Sequence, residues 1–226
     1  MTSHSEPDGS MLMIDKPYGW TSFDVVKKLR GALGIKKIGH AGTLDPLATG
    51  LLILCTGKMT KKISDFQILE KEYVGTLVLG KTTPSVDLET EFDSDRDISH
   101  LTQAQVIQAA GNFTGTIQQI PPGYSAVKVD GQRVYNKARK GQQVKLDPRT
   151  VQISEFSITE VSFPEVRFKV VCSKGTYIRS LVRDFGDLLQ VGAYLSSLTR
   201  TRIGPYKLSR APQLEELLAQ IAANTR

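Results

Sequence analysis

The chain contains the stretch Gly39-His-Ala-Gly-Thr-Leu-Asp45-Pro-Leu-Ala-Thr-Gly-Leu-Leu52, which places one carboxylate in a short loop. Glycines lie on both sides of Asp45, and Pro46 follows it directly. A proline restricts the residue before it to extended backbone conformations, which helps to fix the carboxylate. A lone Asp-Pro pair is typical of an ordinary turn, but this pattern is longer than a turn requires. We therefore interpret Asp45 as a carboxylate that is presented to a ligand.

The segments around this loop show both helical and strand-like patterns. Upstream, Thr21 and Asp24 form a capping-box pattern, apolar residues with helical spacing follow, and Gly34 is a stop signal. Downstream, residues 51–55 form an apolar run that is typical of a buried strand. Residues 58–66 and a short segment near 135–140 are predicted to be helical, and residues 82–97 to form a polar, acidic loop. A further helix is predicted from one apolar stripe with helical spacing, namely Ile178, Leu181, Val182, Phe185, Leu188 and Leu189. Helices and strands are mixed along the chain without regular βαβ alternation. This order predicts an α+β fold with a mostly antiparallel sheet.

Composition restricts the class of protein. The chain has 226 residues, and no apolar run approaches the roughly 20 residues needed to span a membrane. The first ten residues are polar and lack the apolar stretch of a signal peptide. Cys55 and Cys172 lie in strand-like apolar runs and are predicted to be buried, reduced thiols. We therefore expect a cytoplasmic protein.

The charge is unevenly distributed along the chain. The formal net charge is +6, which alone is a weak indication of nucleic-acid binding. Residues 87–97 hold six acids and one base, whereas residues 124–149 hold seven bases and two acids. Residues 167–210 hold nine bases and two acids. This segregation predicts one basic face, suited to nucleic acid, and one acidic rim.

The sequence contains no motif for a cofactor or a metal. It lacks a phosphate-binding P-loop, a dinucleotide fingerprint and any cysteine or histidine cluster with zinc spacing. The histidines His4, His40 and His100 are far apart. This absence is weak evidence by itself, but it fits a reaction that needs no cofactor and no metal.

The stretch around Asp45 closely resembles the catalytic motif of the TruB-type tRNA pseudouridine synthases. Other segments resemble motifs of that family in the expected order, namely residues 15–22, 71–73, 121–131 with Tyr135 and Ala138-Arg139 beyond them, 175–179 and 195–200. The resemblance runs from about Met11 to about Pro205. It implies the α+β pseudouridine synthase catalytic core, with a long mixed, mostly antiparallel sheet, flanking helices and a central cleft.

The resemblance also implies a domain organisation. We expect a disordered N-terminal tail over residues 1–10, a catalytic domain over 11–210 and a C-terminal helix over 211–226. A basic, RNA-gripping insertion would occupy about residues 124–149. Many TruB-type enzymes continue into a PUA-type RNA-binding domain. We expect that domain to be absent, because only about 20 residues follow Pro205 and they fit one amphipathic helix.

The activity implied by the resemblance is the isomerisation of uridine 55 in the T-loop of tRNA to pseudouridine, after the base is flipped out of its stack. The protein would bind the T-arm of tRNA as a monomer, without an obligate protein partner. Asp45 would be the catalytic carboxylate. The sequence leaves open whether it attacks C1′ of the ribose, attacks C6 of the uracil or abstracts a sugar proton.

Two of the family's motifs supply the other catalytic candidates. Arg179 would lie in the first turn of a helix and pair with Asp45; the alternative is a solvated helix arginine. Tyr73 would stack on the uracil and take part in proton transfer at C5, and Tyr177 would line the pocket. In isolation, each tyrosine is more typical of a core or an interface.

The remaining candidates would bind the substrate. Leu198 would close the floor of the pocket, and His40 would fill the stack that the flipped base leaves. Lys16 would support the active-site loop or contact a phosphate, unless it is an ordinary surface lysine. Bases of the insertion would grip backbone phosphates, namely Lys128, Arg133, Lys137, Arg139 and Lys140.

Two alternatives to this enzyme remain open at the level of sequence. One is a non-catalytic tRNA-binding or tRNA-folding chaperone on the same fold. The other is the catalytic subunit of an RNA-guided synthase, which would be expected to carry a PUA-type domain and docking extensions. The presence of Asp45, Tyr73 and Arg179 together favours the enzyme over the chaperone.

Overall fold

The computed structural model describes residues 9–125, 128–129, 132–133 and 146–224. These residues form a mixed α+β fold with mostly antiparallel strands, as the sequence predicts, and they include five α-helices. They fall into two compact units. The first unit covers the described part of Met1–Tyr73 and Leu198–Arg226, and the second covers that of Val74–Ser197.

The strands and helices are numbered here in chain order. The strands are β1 (Met11–Lys16), β2 (Ile38–His40), β3 (Ala48–Thr56), β4 (Lys71–Leu79), β5 (Lys81–Thr82), β6 (Ser94–Asp95), β7 (Gly115–Gln119), β8 (Lys128–Val129), β9 (Gln132–Arg133), β10 (Arg149–Ser162), β11 (Glu165–Cys172), β12 (Ala193–Ile203) and β13 (Tyr206–Lys207). The helices are α1 (Ser22–Leu33), α2 (Ile63–Gln67), α3 (Gln103–Ala110), α4 (Ile178–Leu188) and α5 (Leu214–Asn224).

In the first unit, β3 has neighbours on both edges. It pairs antiparallel with β1 and β2, and it pairs in parallel with the second part of β12. The register places Leu198 opposite Ala48. It also places Gly50 between two strands, opposite Lys16 on β1 and opposite Arg200 on β12. The strand that follows the Asp45 loop is therefore flanked by two residues with long cationic side chains.

Helix α1 covers one face of this sheet. Thr21 caps its N-terminus in a complete capping box with Asp24, and Gly34 ends it in the left-handed conformation, as the sequence predicts. Val25 and Leu29 are fully buried on its inner face, each contributing about 1.5–3 kcal/mol relative to an exposed side chain. The α1–β1–β3 packing fixes the segment that leads into the Asp45 loop.

In the second unit, β10 pairs antiparallel with β7 and β11. The rings of Phe156 and Phe185 pack edge to face with centroids 5.6 Å apart, and Phe113 and Phe168 also contact Phe156 edge to face. Phe185 belongs to the predicted apolar stripe of α4. The start of α4 is therefore held by a packed aromatic cluster.

The structure differs from the sequence prediction in two segments. The helix expected over residues 58–66 is a 3-10 helix, Gly57–Lys62, followed by the short α2. The Thr60 hydroxyl donates to the Gly57 carbonyl at 2.8 Å inside that tighter turn. The polar loop expected over 82–97 contains β5 and β6, which pair with each other, and several buried residues. The helix expected near residues 135–140 lies outside the described residues.

Other predictions concern the cysteines and the membrane. Cys55 and Cys172 are both buried and are not joined in a disulfide, which confirms their predicted state. In the part of the chain that the structure describes, no helix combines the length and the apolar character needed to cross a bilayer.

Candidate active site

Asp45 is half-buried in the loop between β2 and β3, and hydrogen bonds hold the main chain of this loop at successive positions. Five consecutive carbonyl oxygens of the loop each accept at least one hydrogen bond. Gly42 and Thr43 accept from Nη2 (3.2 Å) and Nη1 (3.5 Å) of Arg200, and Leu44 accepts from Ser22 Oγ (3.2 Å). Asp45 accepts from the Ala48 amide (3.1 Å), and Pro46 accepts from Lys16 Nζ (3.3 Å) and the Gly19 amide (2.9 Å). The loop therefore cannot shift without losing several hydrogen bonds at once.

Ser22 makes two hydrogen bonds to the main chain of Leu44, the residue just before Asp45. Its buried hydroxyl accepts from the Leu44 amide at 2.9 Å and donates to the Leu44 carbonyl. One hydroxyl thus satisfies a buried main-chain donor and a buried main-chain acceptor. Because Ser22 is the first residue of α1, its two hydrogen bonds fix the loop relative to that helix.

Lys16 is fully buried at the end of β1. Its ammonium donates to the carbonyls of Pro17 (2.9 Å), Trp20 (2.5 Å) and Pro46 (3.3 Å), which uses all three of its protons. Burial lowers the pKa of Lys16 to about 8, and the nearby Asp45 carboxylate acts in the opposite direction. Of the predicted roles, support of the active-site loop fits this geometry, and the surface-lysine alternative is wrong.

His40 ends β2, five residues before Asp45 in the chain, and is half-buried. Burial lowers its pKa, the main chain of Gly42 acts in the opposite direction, and the Arg200 cation lowers the pKa further. The imidazole is therefore predominantly neutral at pH 7. A neutral ring suits the stacking role expected for His40 better than it suits phosphate binding.

Tyr73 and Leu198 are the other site candidates in the first unit. Both side chains are buried, with Tyr73 on β4 and Leu198 on β12. Leu198 lies opposite Ala48, three residues after Asp45. The register thus brings the predicted floor residue beside the end of the Asp45 loop, whereas the contact of Tyr73 with a uracil stays a prediction.

In the second unit, Tyr177 is the residue at the N-cap of α4. The buried amide of Gln119 accepts from the Tyr177 amide at 2.8 Å and donates to the Tyr177 carbonyl at 3.0 Å. Ser180, one turn on, donates its hydroxyl to the Ile120 carbonyl at 2.8 Å. These contacts tie the start of α4 to the end of β7, and the sequence alone gave no signal for Gln119.

Arg179 is almost completely buried near the start of α4. Its Nε lies 3.6 Å from Oδ2 of Asp87, and its Nη atoms donate to the carbonyls of Ser85 (2.9 Å) and Tyr124 (2.7 Å). The alternative of a solvated helix arginine is therefore wrong. Arg179 belongs to the second unit and Asp45 to the first, and their pairing stays a prediction.

Asp87 is a buried residue that sequence reasoning missed. It stands in a run of mostly exposed acids, so the sequence offered no reason to separate it from them. Its Oδ1 accepts from the Glu89 amide at 3.0 Å, and its carbonyl accepts from the Thr83 hydroxyl at 2.6 Å. The only available sequence signal was the set of small hydroxyl residues around it, which bind main-chain groups in turns.

The basic residues predicted to grip RNA lie mainly outside the described part of the chain. This applies to Lys137, Arg139 and Lys140, and to the side chains of Lys128 and Arg133. The main chains of Lys128 and Arg133 are paired across β8 and β9. Their contact with RNA stays a prediction.

The described residues contain a second set of exposed bases in the first unit. The Gly57 amide donates to the Lys37 carbonyl at 2.9 Å, which joins the segment before β2 to the 3-10 helix after β3. Five exposed lysines lie on these two segments. Four of them are called here the lysine cluster, namely Lys36, Lys37, Lys61 and Lys62. Sequence reasoning missed the cluster because more than 20 residues separate its two halves.

The residues that the structure describes include no group of three His, Cys, Asp or Glu side chains placed to hold a metal ion.

Comparison with known proteins identifies the family. The model described as TruB family pseudouridylate synthase (N terminal domain) matches residues 30–178, and the model described as tRNA pseudouridylate synthase B C-terminal domain matches residues 179–226. Together these matches cover most of the chain.

Two relatives and one solved structure agree with this assignment. A tRNA pseudouridine synthase B of Phocaeicola vulgatus is 52% identical over 92% of this chain and 91% of its own length. One of Bacteroides fragilis is 53% identical over 90% of each chain. A crystal structure of a Cbf5-Nop10-Gar1 complex holds a similar chain, with a TM-score of 0.74 and 31% identity. The match covers 94% of this chain but only 54% of that one, so this chain spans about half its length. The chain belongs to the TruB family of pseudouridylate synthases, which are isomerases.

Proposed function

We propose that this chain isomerises uridine 55 in the T-loop of tRNA to pseudouridine, with Asp45 as the catalytic carboxylate. The observation that carries the proposal is the Asp45 loop, in which five successive carbonyls are held by hydrogen bonds. A carboxylate on such a fixed main chain is preorganised for a reacting group. The names of the relatives support tRNA as the substrate.

The reaction is an isomerisation in which the base is retained. The N1–C1′ bond of uridine breaks, the uracil turns, C5 bonds to C1′, the proton on C5 leaves and N1 gains one. One carboxylate suits this reaction, because no separate water has to be activated as in many glycoside hydrolases. Asp45 initiates it by attack on C1′, by attack on C6 or by removal of a sugar proton; these three courses are all compatible with its position.

Arg179 supplies the counter-charge to Asp45 in this proposal. Support comes from its fixed position: Asp87 and two carbonyls hold the guanidinium, so its orientation is set before substrate binds. Asp87 therefore acts through Arg179 and does not touch the substrate. Tyr177, whose main chain Gln119 fixes, lines the pocket at the start of the same helix.

The uridine reaches the site by extrusion from the T-loop. A loop base is cheaper to extrude than one in a continuous duplex, where flipping costs a few kcal/mol. Tyr73 stacks on the flipped uracil, which is worth roughly 1–3 kcal/mol, and Leu198 closes the floor of the pocket. The neutral ring of His40 fills the vacated stack.

The T-arm is bound through its phosphates. The basic insertion contributes Lys128, Arg133 and its other bases, and the lysine cluster of the first unit adds a second set of cations. Contacts of this kind give affinity and orientation without reading the sequence of the stem. Because its substrate is tRNA, we place the protein in the bacterial cytoplasm.

The proposal is tested with purified protein and tRNA transcribed in vitro. Wild-type protein alone should form pseudouridine at position 55 and at no other uridine. Asp45→Asn should form none overnight while its tRNA affinity stays within several-fold. Asp65→Asn, an exposed acid on α2 of the same unit, is the matched control and should keep full activity.

The outcomes of this test separate the three hypotheses. Tight tRNA binding without pseudouridine in the wild-type reaction would favour the chaperone. Pseudouridine that forms only after a guide RNA is added would favour the RNA-guided subunit. Pseudouridine in the Asp45→Asn reaction would remove Asp45 from the catalytic role.

A further inference from the structure

Arg200 on β12 is a fully buried cation that reaches the catalytic loop from the far end of the chain. Its Nε donates to the Leu51 carbonyl at 2.7 Å. Its two Nη atoms donate to the carbonyls of Gly42 (3.2 Å) and Thr43 (a longer contact of 3.5 Å). One guanidinium therefore binds the main chain on both sides of Asp45.

Two glycines shape the loop around this side chain. Gly50 lies opposite Arg200 with φ +103°, and a Cβ there would lie 2.4 Å from the Arg200 carbonyl oxygen. Gly42 has φ +108° and lies against the guanidinium, where a Cβ would be 3.7 Å from Nη1. Such backbone conformations are open mainly to glycine. The two glycines therefore allow the main chain around Asp45 to approach Arg200 closely.

We propose that Arg200 is a positioning residue for the isomerisation, which sets the place of the Asp45 carboxylate by bridging the two ends of its loop. This inference rests on the proposed function. Arg200 is buried and does not touch the substrate, so it acts through the main chain of residues 42–51.

The chemistry of arginine explains why this position needs a guanidinium. Its donors are fixed in a planar fork, so one group can bind carbonyls that lie in different directions. A lysine at position 200 would keep the positive charge but would present a single ammonium. It could not hold Leu51 and Gly42 in the same arrangement, so the charge alone should not restore the function.

The charge of Arg200 provides an independent readout. Burial is the main cause of the low pKa of Lys16, and the Arg200 cation lowers it further, while Asp45, Asp15 and Asp24 raise it. Replacing Arg200 by methionine should therefore raise the pKa of Lys16, whereas replacing it by lysine should leave that pKa nearly unchanged. The titration of Lys16 Nζ by heteronuclear NMR reports this directly.

The test compares Arg200→Met, Arg200→Lys and the matched control Arg202→Met. Arg202 lies two residues on in β12, and its guanidinium binds Glu70 and Glu72 instead of the loop. Arg200→Met should lower kcat by about 100-fold and leave KM within about threefold, because a displacement of about 1 Å costs on that order. Arg200→Lys should lower kcat by about 10-fold or more, and Arg202→Met should keep wild-type values.

The lysine variant keeps the proposal falsifiable if the methionine variant does not fold. Wild-type kcat in folded Arg200→Lys would overturn the inference about Arg200 and leave the proposed function intact. An increase in KM without loss of kcat in either variant would overturn it too, since a substrate-binding role would explain that result. If the wild-type protein forms no pseudouridine in the same assay, the proposed function fails and this inference falls with it.

Discussion

At the scale of single residues, the site is unusual in the number of cations that are buried close to it. Lys16 and Arg200 are both almost inaccessible, and both donate to carbonyls of the Asp45 loop. Burial of an ammonium destabilises the folded state because the group loses its hydration. Hydrogen bonds to three carbonyls offset this free-energy cost only in part. The stability of the protein should therefore depend on the charge of Lys16.

We predict the sign of that dependence from the pKa of Lys16. The folded-state pKa of about 8 lies below the ordinary value of 10.5, so between these values the unfolded chain binds the proton and the folded chain does not. Stability should therefore rise with pH across this window. Relative to Lys16→Met, the free energy of unfolding of the wild type should increase by about 2 kcal/mol from about pH 7.5 to about pH 9.5.

Urea unfolding of the two proteins at both pH values measures this difference. Lys27→Met is the control, because Lys27 is an exposed lysine on α1 and should show no such relative change. A difference between wild type and Lys16→Met that is constant with pH would show that the ammonium titrates normally in the folded state.

For His40 we predict that ring shape matters more than proton transfer. Because burial lowers its pKa, the ring is neutral at pH 7 and its charge should not control the rate. His40→Phe should keep kcat/KM within about 10-fold of wild type. His40→Ala should lose about 10–100-fold, as expected from a lost stacking energy of about 1–3 kcal/mol. His100→Ala, an exposed histidine in the second unit, is the control. If His40→Gln kept the wild-type kcat/KM and His40→Phe did not, the result would instead indicate a hydrogen-bonding role for His40.

At the scale of elements, local signals in the sequence predicted the structure well where the cause is local. The capping box of Thr21 and Asp24, the stop at Gly34 and the apolar stripe of α4 depend on neighbours within one or two turns. Asp87 and Arg200 are instead paired with groups far along the chain, and Lys16 binds Pro46, 30 positions away, in addition to two neighbouring carbonyls. Charged residues are normally exposed, so their pattern could not indicate the burial of these three.

The same distinction applies to the candidate site: its features with a local cause could be predicted from the sequence, and those that depend on distant partners could not. The loop with Asp45 was visible because a carboxylate between glycines and before proline is a local pattern. The hydroxyl of Ser22 and the amide of Gln119 were not visible, because each acts by satisfying a distant main-chain group. A sequence shows which residues have hydrogen-bonding groups, but the fold determines which backbone groups they meet.

The prediction at the scale of elements concerns the ion pair between Asp87 and Arg179 near the start of α4. Asp87→Asn should destabilise the protein by about 3–5 kcal/mol, because it leaves the buried Arg179 cation without its carboxylate. The loss should be smaller when Arg179→Met is already present, since both charges are then gone. Glu91→Gln, an exposed acid in the same segment, should change stability by less than about 0.5 kcal/mol. Additive losses in the double variant, measured by urea unfolding, would show that Asp87 and Arg179 are not energetically coupled.

At the scale of the whole molecule, the chain leaves the first unit within β4 and returns to it within β12. The first unit carries Asp45, Tyr73 and Leu198, and the second carries Tyr177 and Arg179. The lysine cluster belongs to the first unit, so the unit that holds the proposed catalytic carboxylate also carries these exposed cations. Its contribution to tRNA binding should be electrostatic.

We predict that the lysine cluster makes tRNA binding sensitive to salt. Replacing Lys61 and Lys62 together by glutamine should weaken binding and flatten the plot of log affinity against log salt concentration. Each lost phosphate contact should reduce its slope by about 0.7–0.9. The matched control replaces Arg167 and Lys169, which pair with Glu160 and Glu155 on the neighbouring strand. An equal slope in the two double variants would exclude the cluster from the RNA interface.

The bridge from Arg200 to Gly42 spans 158 positions of the chain, so the Asp45 loop can be completed only after β12 has been made. During synthesis the Asp45 segment emerges well before the guanidinium that bridges its two ends. Contacts of such long range close late in folding. A nascent chain that lacks β12 should therefore hold the Asp45 loop without its bridge, while Lys16 and Ser22 already contact it. We expect the proposed activity to appear only once β12 has been made, which makes it depend on a strand far downstream of Asp45.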